Sequence, residues 1–300
     1  MSPDQTETHR LPALVDAFEQ ATRAVVDLAR ACSDEDLAQP TDCPGWTVHD
    51  QISHVVGVEA RLGGHKDPRV ELPHYEHIRN DLGKRVEYAV EVRRGRSGAE
   101  VLAELEDVLA QRLSALRDPG LTDTSIIAGP FGPDQATTVL LLRVFDVWTH
   151  EQDIHGALGR PGDLDSPAAA VVVGSVMREL PKVLARSGAL RPGQPVVLDV
   201  TGPSPAVTAS QGFRVELDEQ GRARGRAIRG GEELAPGSGA STDAAGGPPL
   251  PDAGMTTIRL STEAFTRRAA GRRAAGDTAY DVVGDPALAR RVVDALVVTH

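Results

Sequence analysis

Cysteine is nearly absent. Only Cys32 and Cys43 occur in 300 residues, too few for a disulfide scaffold or a thiolate-rich metal cluster. Long apolar runs are missing too. The run 168–173 is short and ends at Gly174 and Ser175, far from the roughly 18–20 residues that span a bilayer. The opening Met1-Ser2-Pro3-Asp4-Gln5-Thr6-Glu7 is polar and acidic, so no secretory signal is expected. Nor is there an excess of positive charge. Lys and Arg number 32 against 43 Asp and Glu, a net charge of −11 at pH 7. That balance argues against general binding to nucleic acid or to anionic membranes. The expectation is a cytoplasmic protein with reduced thiols. None of these absences excludes catalysis.

What is present is enough for two domains, since single cores stop growing near about 250–300 residues. Leu11, Leu14, Val15, Phe18, Val25 and Leu28 recur at helical spacing and predict a helix over 10–31. Pro40, Pro44 and Gly45 mark a loop. Thr47 with Asp50 reads as a capping box opening a second helix that carries Val48, Ile52, Val55 and Leu62. Further helices are predicted over 75–92, 99–117, 138–158 and 167–185. The period then changes to two at Val196, Leu198 and Val200, at Phe213, Val215 and Leu217, and at Ile258 and Leu260, which predicts strands. Helices are predicted again over 261–270 and 286–297. The fold class is therefore a helical bundle over 1–163 followed by a smaller α+β domain over 164–300. Residues 230–254, rich in Gly, Pro and Ser, read as a disordered insertion.

Chemistry concentrates in Phe145-Asp146-Val147-Trp148-Thr149-His150-Glu151-Gln152-Asp153-Ile154. Asp146 and His150 are four apart and share one face of a helix. A carboxylate and an imidazole in an apolar stripe must be satisfied, because unpaired buried polar groups cost several kcal/mol. A metal ion is one solution and an intrahelical hydrogen bond is the other. His54 offers a third donor, although by helical angle it flanks its apolar stripe. Two imidazoles and a carboxylate leave positions open on a divalent ion, as in catalytic zinc sites, or on Fe(II) in an oxygenase. Asp153 reads as a partner that orients His150 or as a surface charge. His9, His49, His65, His74, His77, His155 and His300 read as loop or solvent-facing residues, with His74 and His77 a decoy pair. Trp46 and Trp148 read as packing anchors, and Cys43 as structural.

Thr41-Asp42-Cys43-Pro44-Gly45-Trp46-Thr47-Val48-His49-Asp50, followed by His54, resembles the N-terminal signature of the mycothiol-dependent maleylpyruvate isomerase family, within the DinB-like metalloenzyme superfamily of four-helix bundles. Val144 to Ile154, followed by Ala157-Leu158-Gly159-Arg160-Pro161, is similar to its second signature. Val200-Thr201-Gly202-Pro203, Gly271-Arg272-Arg273 and Gly284-Asp285-Pro286 resemble the family's C-terminal domain, which is similar to sterol carrier proteins. By position, the resemblance implies a divalent metal, zinc, on His54, Asp146 and His150. The family's isomerase has a glutamate where this chain has Asp146. The resemblance also implies a small-molecule substrate, mycothiol as thiol cosubstrate and Arg272 as a catalytic arginine. Because polar catalytic groups on a bundle need a second wall to exclude water, the substrate is expected between the two domains. In the isomerase reading a metal-bound thiolate adds to an activated cis double bond, the C–C bond rotates, and the thiol leaves. In an S-transferase reading the thiolate attacks an electrophile, such as an antibiotic intermediate, and stays attached. A non-catalytic protein that binds a small apolar ligand is a third reading.

Overall fold

A computed structural model describes residues 10–228 and 255–299, which divide into two compact units, Met1–Val172 and Val173–His300. The expected insertion at 230–254 lies outside the described residues.

The first unit is helical. Its elements are α1 (Leu11–Ala31), the short α2 (Asp34–Leu37), α3 (Val48–Leu62), α4 (Asp81–Arg94), α5 (Gly98–Leu116) and α6 (Ala136–Leu158). A two-residue hairpin, β1 (Ile126–Ile127) with β2 (Asp134–Gln135), precedes α6. Each start has a local cause. The α1 amide of Leu11 donates to Asp123 Oδ1 at 2.9 Å, a cap supplied from afar because Arg10 gives none. Thr47 and Asp50 form the expected capping box at α3, and Ser97 with Glu100 does the same at α5. Asn80 caps α4, so that helix begins after the predicted start at 75; Tyr75 to Ile78 instead makes a turn closed by Ile78 N–H to Tyr75 O. Gly159, at φ 61°, ends α6 in the left-handed region.

Helices α1, α6, α3 and α5 form a four-membered ring in which each packs on the next, and α4 lies against the outer side of α3. Every residue of α3 except His49 and Arg61 is buried in consequence. Gly57 permits the close approach of α4, since a Cβ there would sit 2.6 Å from that of Ala89.

Helix α7 (Pro167–Ser187) begins in the first unit and runs into the second. The second unit holds a five-stranded sheet built from β3 (Pro195–Thr201), β4 (Ala209–Leu217), β5 (Ala223–Ile228), β6 (Thr256–Ser261) and β7 (Asp281–Val283). The order is β5-β4-β3-β6-β7, with β3 and β6 parallel and every other pair antiparallel. Helices α8 (Thr262–Ala269) and α9 (Pro286–Ala295) pack on β6. Val196, Leu198, Val200, Phe213, Val215, Ile258, Leu260 and Phe265 are buried in this unit. The overall pattern of helices first and a sheet-rich region second follows the sequence reading. No described helix is long and apolar enough to cross a membrane.

Candidate metal centre

Two packed helices bring three donors together. His54 sits in the second turn of α3, and Asp146 and His150 sit one turn apart on α6. His54 Nε2 lies 3.1 Å from Asp146 Oδ2, and His150 Nε2 lies 3.7 Å from Asp146 Oδ1. One donor atom from each lies within 4.8 Å of the other two. The two imidazole centroids are 4.4 Å apart, and the Trp46 ring stands 5.1 Å from one and 5.8 Å from the other. His54 is buried, which corrects its placement beside the apolar stripe. A helix packed by three others has no flank left for solvent. Asp146, at 32% side-chain exposure, is the most open of the three.

The orientation of His150 follows from a chain of hydrogen bonds. Thr41 Oγ1 donates to the Trp46 carbonyl at 3.0 Å, which can only accept. Thr41 must therefore accept from Gln51 Nε2 at 2.6 Å, which turns Gln51 Oε1 toward His150 Nδ1 at 2.5 Å. His150 then donates from Nδ1 and presents the Nε2 lone pair to the cluster. Asp153, fully buried, lies 3.5 Å from the same Nδ1. It is not a surface charge.

Buried ion pairs fix the carboxylate. Arg143 Nη1 donates to Asp146 Oδ2 at 2.9 Å, and its Nε donates to Glu59 Oε1 at 2.6 Å. Arg112 Nε donates to the other Glu59 oxygen at 2.9 Å. Burial pushes the Asp146 carboxyl up, but Arg143, His54 and His150 more than offset it and hold it well below its ordinary value. Burial drives His54 down to about 4, although Asp146 pulls the other way. At neutral pH the site therefore offers a neutral imidazole and an ionised carboxylate. Those are the protonation states a divalent cation requires. Around a tetrahedral ion with bonds of about 2.0–2.2 Å, donors stand about 3.3–3.6 Å apart; His54 Nε2 is 3.1 Å from one Asp146 oxygen and His150 Nε2 3.7 Å from the other, so small side-chain adjustments would seat an ion. The residues fit a divalent metal.

The remaining expectations fall out as follows. Trp46 donates from Nε1 to Glu87 at 2.9 Å, and Trp148 donates to the Asp163 carbonyl at 3.3 Å, so both tryptophans anchor packing. His77 bonds Glu87 at 2.8 Å while His74 is exposed. His155, read as solvent-facing, is buried at the end of α6. Arg272 belongs to the second unit, half-buried in the turn after α8, with its Nη1 3.4 Å from the Ala270 carbonyl. Its neighbours Arg267 and Arg268 are buried. Sequence reading missed Gln51, Glu59, Arg112 and Arg143. Arg143 left a signal, as the one charged residue in Val139-Leu140-Leu141-Leu142-Arg143-Val144-Phe145.

The family described as the mycothiol maleylpyruvate isomerase N-terminal domain matches residues 18–155. The resemblance drawn from the two signatures therefore holds for the helical part of the chain. A crystal structure of a histidine-to-alanine mutant of the mycothiol-dependent maleylpyruvate isomerase is similar at 14% identity, with a TM-score of 0.51 over 91% of this chain and 92% of that one. A second crystal structure of that isomerase gives 15% identity and a TM-score of 0.49 over the same shares. The first likeness is one of fold. No curated protein matches the chain.

Proposed function

We propose that this chain, whose helical part matches the mycothiol maleylpyruvate isomerase N-terminal domain, is a divalent-metal- and thiol-dependent enzyme. Its proposed reaction is cis–trans isomerisation of a small carboxylated or otherwise electrophilic molecule. The observation that carries the proposal is the convergence of His54, Asp146 and His150 from two helices, with His54 neutral and Asp146 ionised at neutral pH. A divalent cation held there, with zinc suited to two imidazoles and a carboxylate, would lower the pKa of a coordinated thiol enough to ionise it at neutral pH.

The chain's own residues do the rest. Gln51 keeps the His150 ring from turning, and Arg143 keeps Asp146 ionised. Trp46 covers the two imidazoles and limits water. The exposed side of Asp146 gives a small molecule its access. Reversible addition of mycothiol to an activated double bond, rotation and loss of the thiol would complete the isomerisation. Arg272 is proposed, on the family resemblance, to bind the substrate carboxylate. The proposal for the second unit is a sterol-carrier-like domain.

The test is turnover of maleylpyruvate by the full chain with added mycothiol. Conversion should require the thiol, stop on chelation, and be lost in His54→Ala while helix content stays. Arg272→Ala should lower turnover of the same substrate. Full turnover in thiol-free buffer, or activity indifferent to chelator, would overturn the reading. Asp146 in place of the family's glutamate shortens the carboxylate by one methylene and favours keeping a second reading, S-transfer. Product that retains the thiol would establish it.

A further inference from the structure

At the far end of α6 a second set of donors converges, on residues that the proposed reaction does not use. Glu151 and His155 are four apart on the helix, and Asp163 comes from the loop that follows Gly159. His155 Nε2 lies 3.7 Å from Glu151 Oε1 and 3.5 Å from Asp163 Oδ2. One donor atom of each lies within 4.8 Å of the others. Both are longer than the roughly 2.7–3.2 Å of a normal N–H···O bond. Both are close to the roughly 3.4 Å that separates donors around a four-coordinate ion.

The donors are also unsatisfied. The Glu151 side chain is fully buried, and neither of its oxygens has a hydrogen-bond partner, nor does Nε2 of His155. Leaving such groups unpaired is costly; burial, with Asp163 beside it, pushes the Glu151 carboxyl up to about 8, so one cation between them would satisfy all three by displacing that proton. The His155 ring is already set for that role. Its Nδ1 meets the Arg160 carbonyl, which can only accept, so Nδ1 donates and Nε2 is the ring atom turned toward Glu151 and Asp163.

The loop is held in place by the helix it leaves. Gln152 Nε2 donates to the Gly162 carbonyl at 3.1 Å, and Trp148 Nε1 donates to the Asp163 carbonyl at 3.3 Å. Gly162 lies against the imidazole, where a Cβ would come within 2.8 Å of Cε1. Asp163 has φ 56°, the one positive value at a non-glycine residue among those described. The C-terminal end of a helix also favours positive charge. His155 and Asp163 open onto a groove of mixed charge that carries Asp16, Glu19, Arg23 and Asp27 of α1 and Arg160 of the loop, which gives an ion access from solvent.

We propose that Glu151, His155 and Asp163 form a second divalent-cation site, for an ion of the zinc class, which clamps the 159–163 loop to the end of α6. Mixed imidazole and carboxylate donors suit such an ion, and its remaining coordination position faces the groove. The site stands whether or not the first centre is catalytic.

The experiment is Zn2+ binding to the full chain at buffered free zinc, with far-UV circular dichroism as the folding control. Glu151→Gln and Asp163→Gly should each bind one equivalent fewer than the unmodified protein, or bind it at least about tenfold more weakly. The double variant His54→Ala/His150→Ala should keep that equivalent. Glycine tolerates the left-handed backbone at 163, and Asp163 is 40% exposed, so Asp163→Gly decides the matter if Glu151→Gln does not fold. Unchanged stoichiometry and affinity in Asp163→Gly would overturn the proposal. So would a folded double variant that binds no zinc.

Discussion

Replacing Arg143 with methionine removes a guanidinium that Glu59 and Asp146 share. Arg143 is 2% exposed and Glu59 1%, so the loss is felt in the interior. Glu59 keeps Arg112 on its other oxygen at 2.9 Å. One buried oxygen is left bare, at a cost of about 1–3 kcal/mol. Asp146 is part exposed and recovers water, so its lost bond adds only about 0–1 kcal/mol. Methionine fills most of the space of the arginine stem, which keeps the cavity contribution small. The expected destabilisation is about 1–4 kcal/mol. Urea unfolding followed by tryptophan fluorescence reads it cleanly, because the chain's 2 tryptophans, Trp46 and Trp148, both lie in the helical unit. Combining Arg143→Met with Glu59→Gln should restore at least about 1 kcal/mol relative to the sum of the single changes. A single-variant effect below about 1 kcal/mol, together with an additive double variant, would refute the account of a shared buried charge.

Gln51→Leu should weaken zinc binding at the first centre by about 10–100-fold without loss of helix content, because it removes the partner that aims His150; equilibrium dialysis against Zn2+ checks this. Glu87 should contribute acid-sensitive stability. Burial raises its carboxyl, but bonds from His77, Trp46 and Arg94 more than offset this and hold it below its ordinary value. That stabilisation is full above the unfolded pKa of about 4.3 and is lost as pH falls through the lower folded value. Glu87→Gln should therefore flatten the fall in Tm between about pH 5 and pH 3, as calorimetry would show. Gly225→Ala should destabilise the sheet unit by about 1–3 kcal/mol, since a Cβ there would sit 1.7 Å from the Pro181 carbonyl oxygen; the thermal melt reads the change.

The helices were legible because their ends are written locally. Thr47 with Asp50, Ser97 with Glu100, and Gly159 are caps that act within a turn or two. Two strands were not legible. In β5, Ala-Arg-Gly-Arg-Ala-Ile buries only Ile228, so no alternation marks it as a strand. Strand β7 is three residues long at the sheet's other edge. The site divides the same way. Asp146 and His150 are a turn apart on one helix, and spacing alone pairs them. Gln51, Glu59, Arg112 and Arg143 come from three helices and meet only after packing. Charged residues are rarely buried, so nothing in a sequence marks Glu59 or Arg112 as interior.

The three donors of the first centre give up their rotational freedom when the bundle forms. His54 and His150 are wedged between packed helices, and Asp146 is tied to Arg143. Ordering a side chain costs up to about 2 kcal/mol of conformational entropy, and here that loss accompanies folding rather than ion capture. Preorganisation of this kind separates the protein from small zinc domains that collapse only around their ion. Loading would act by mass action alone and add about 2.7 kcal/mol at a hundredfold excess over Kd. Stripping the ion would lower the melting temperature and leave the helices standing.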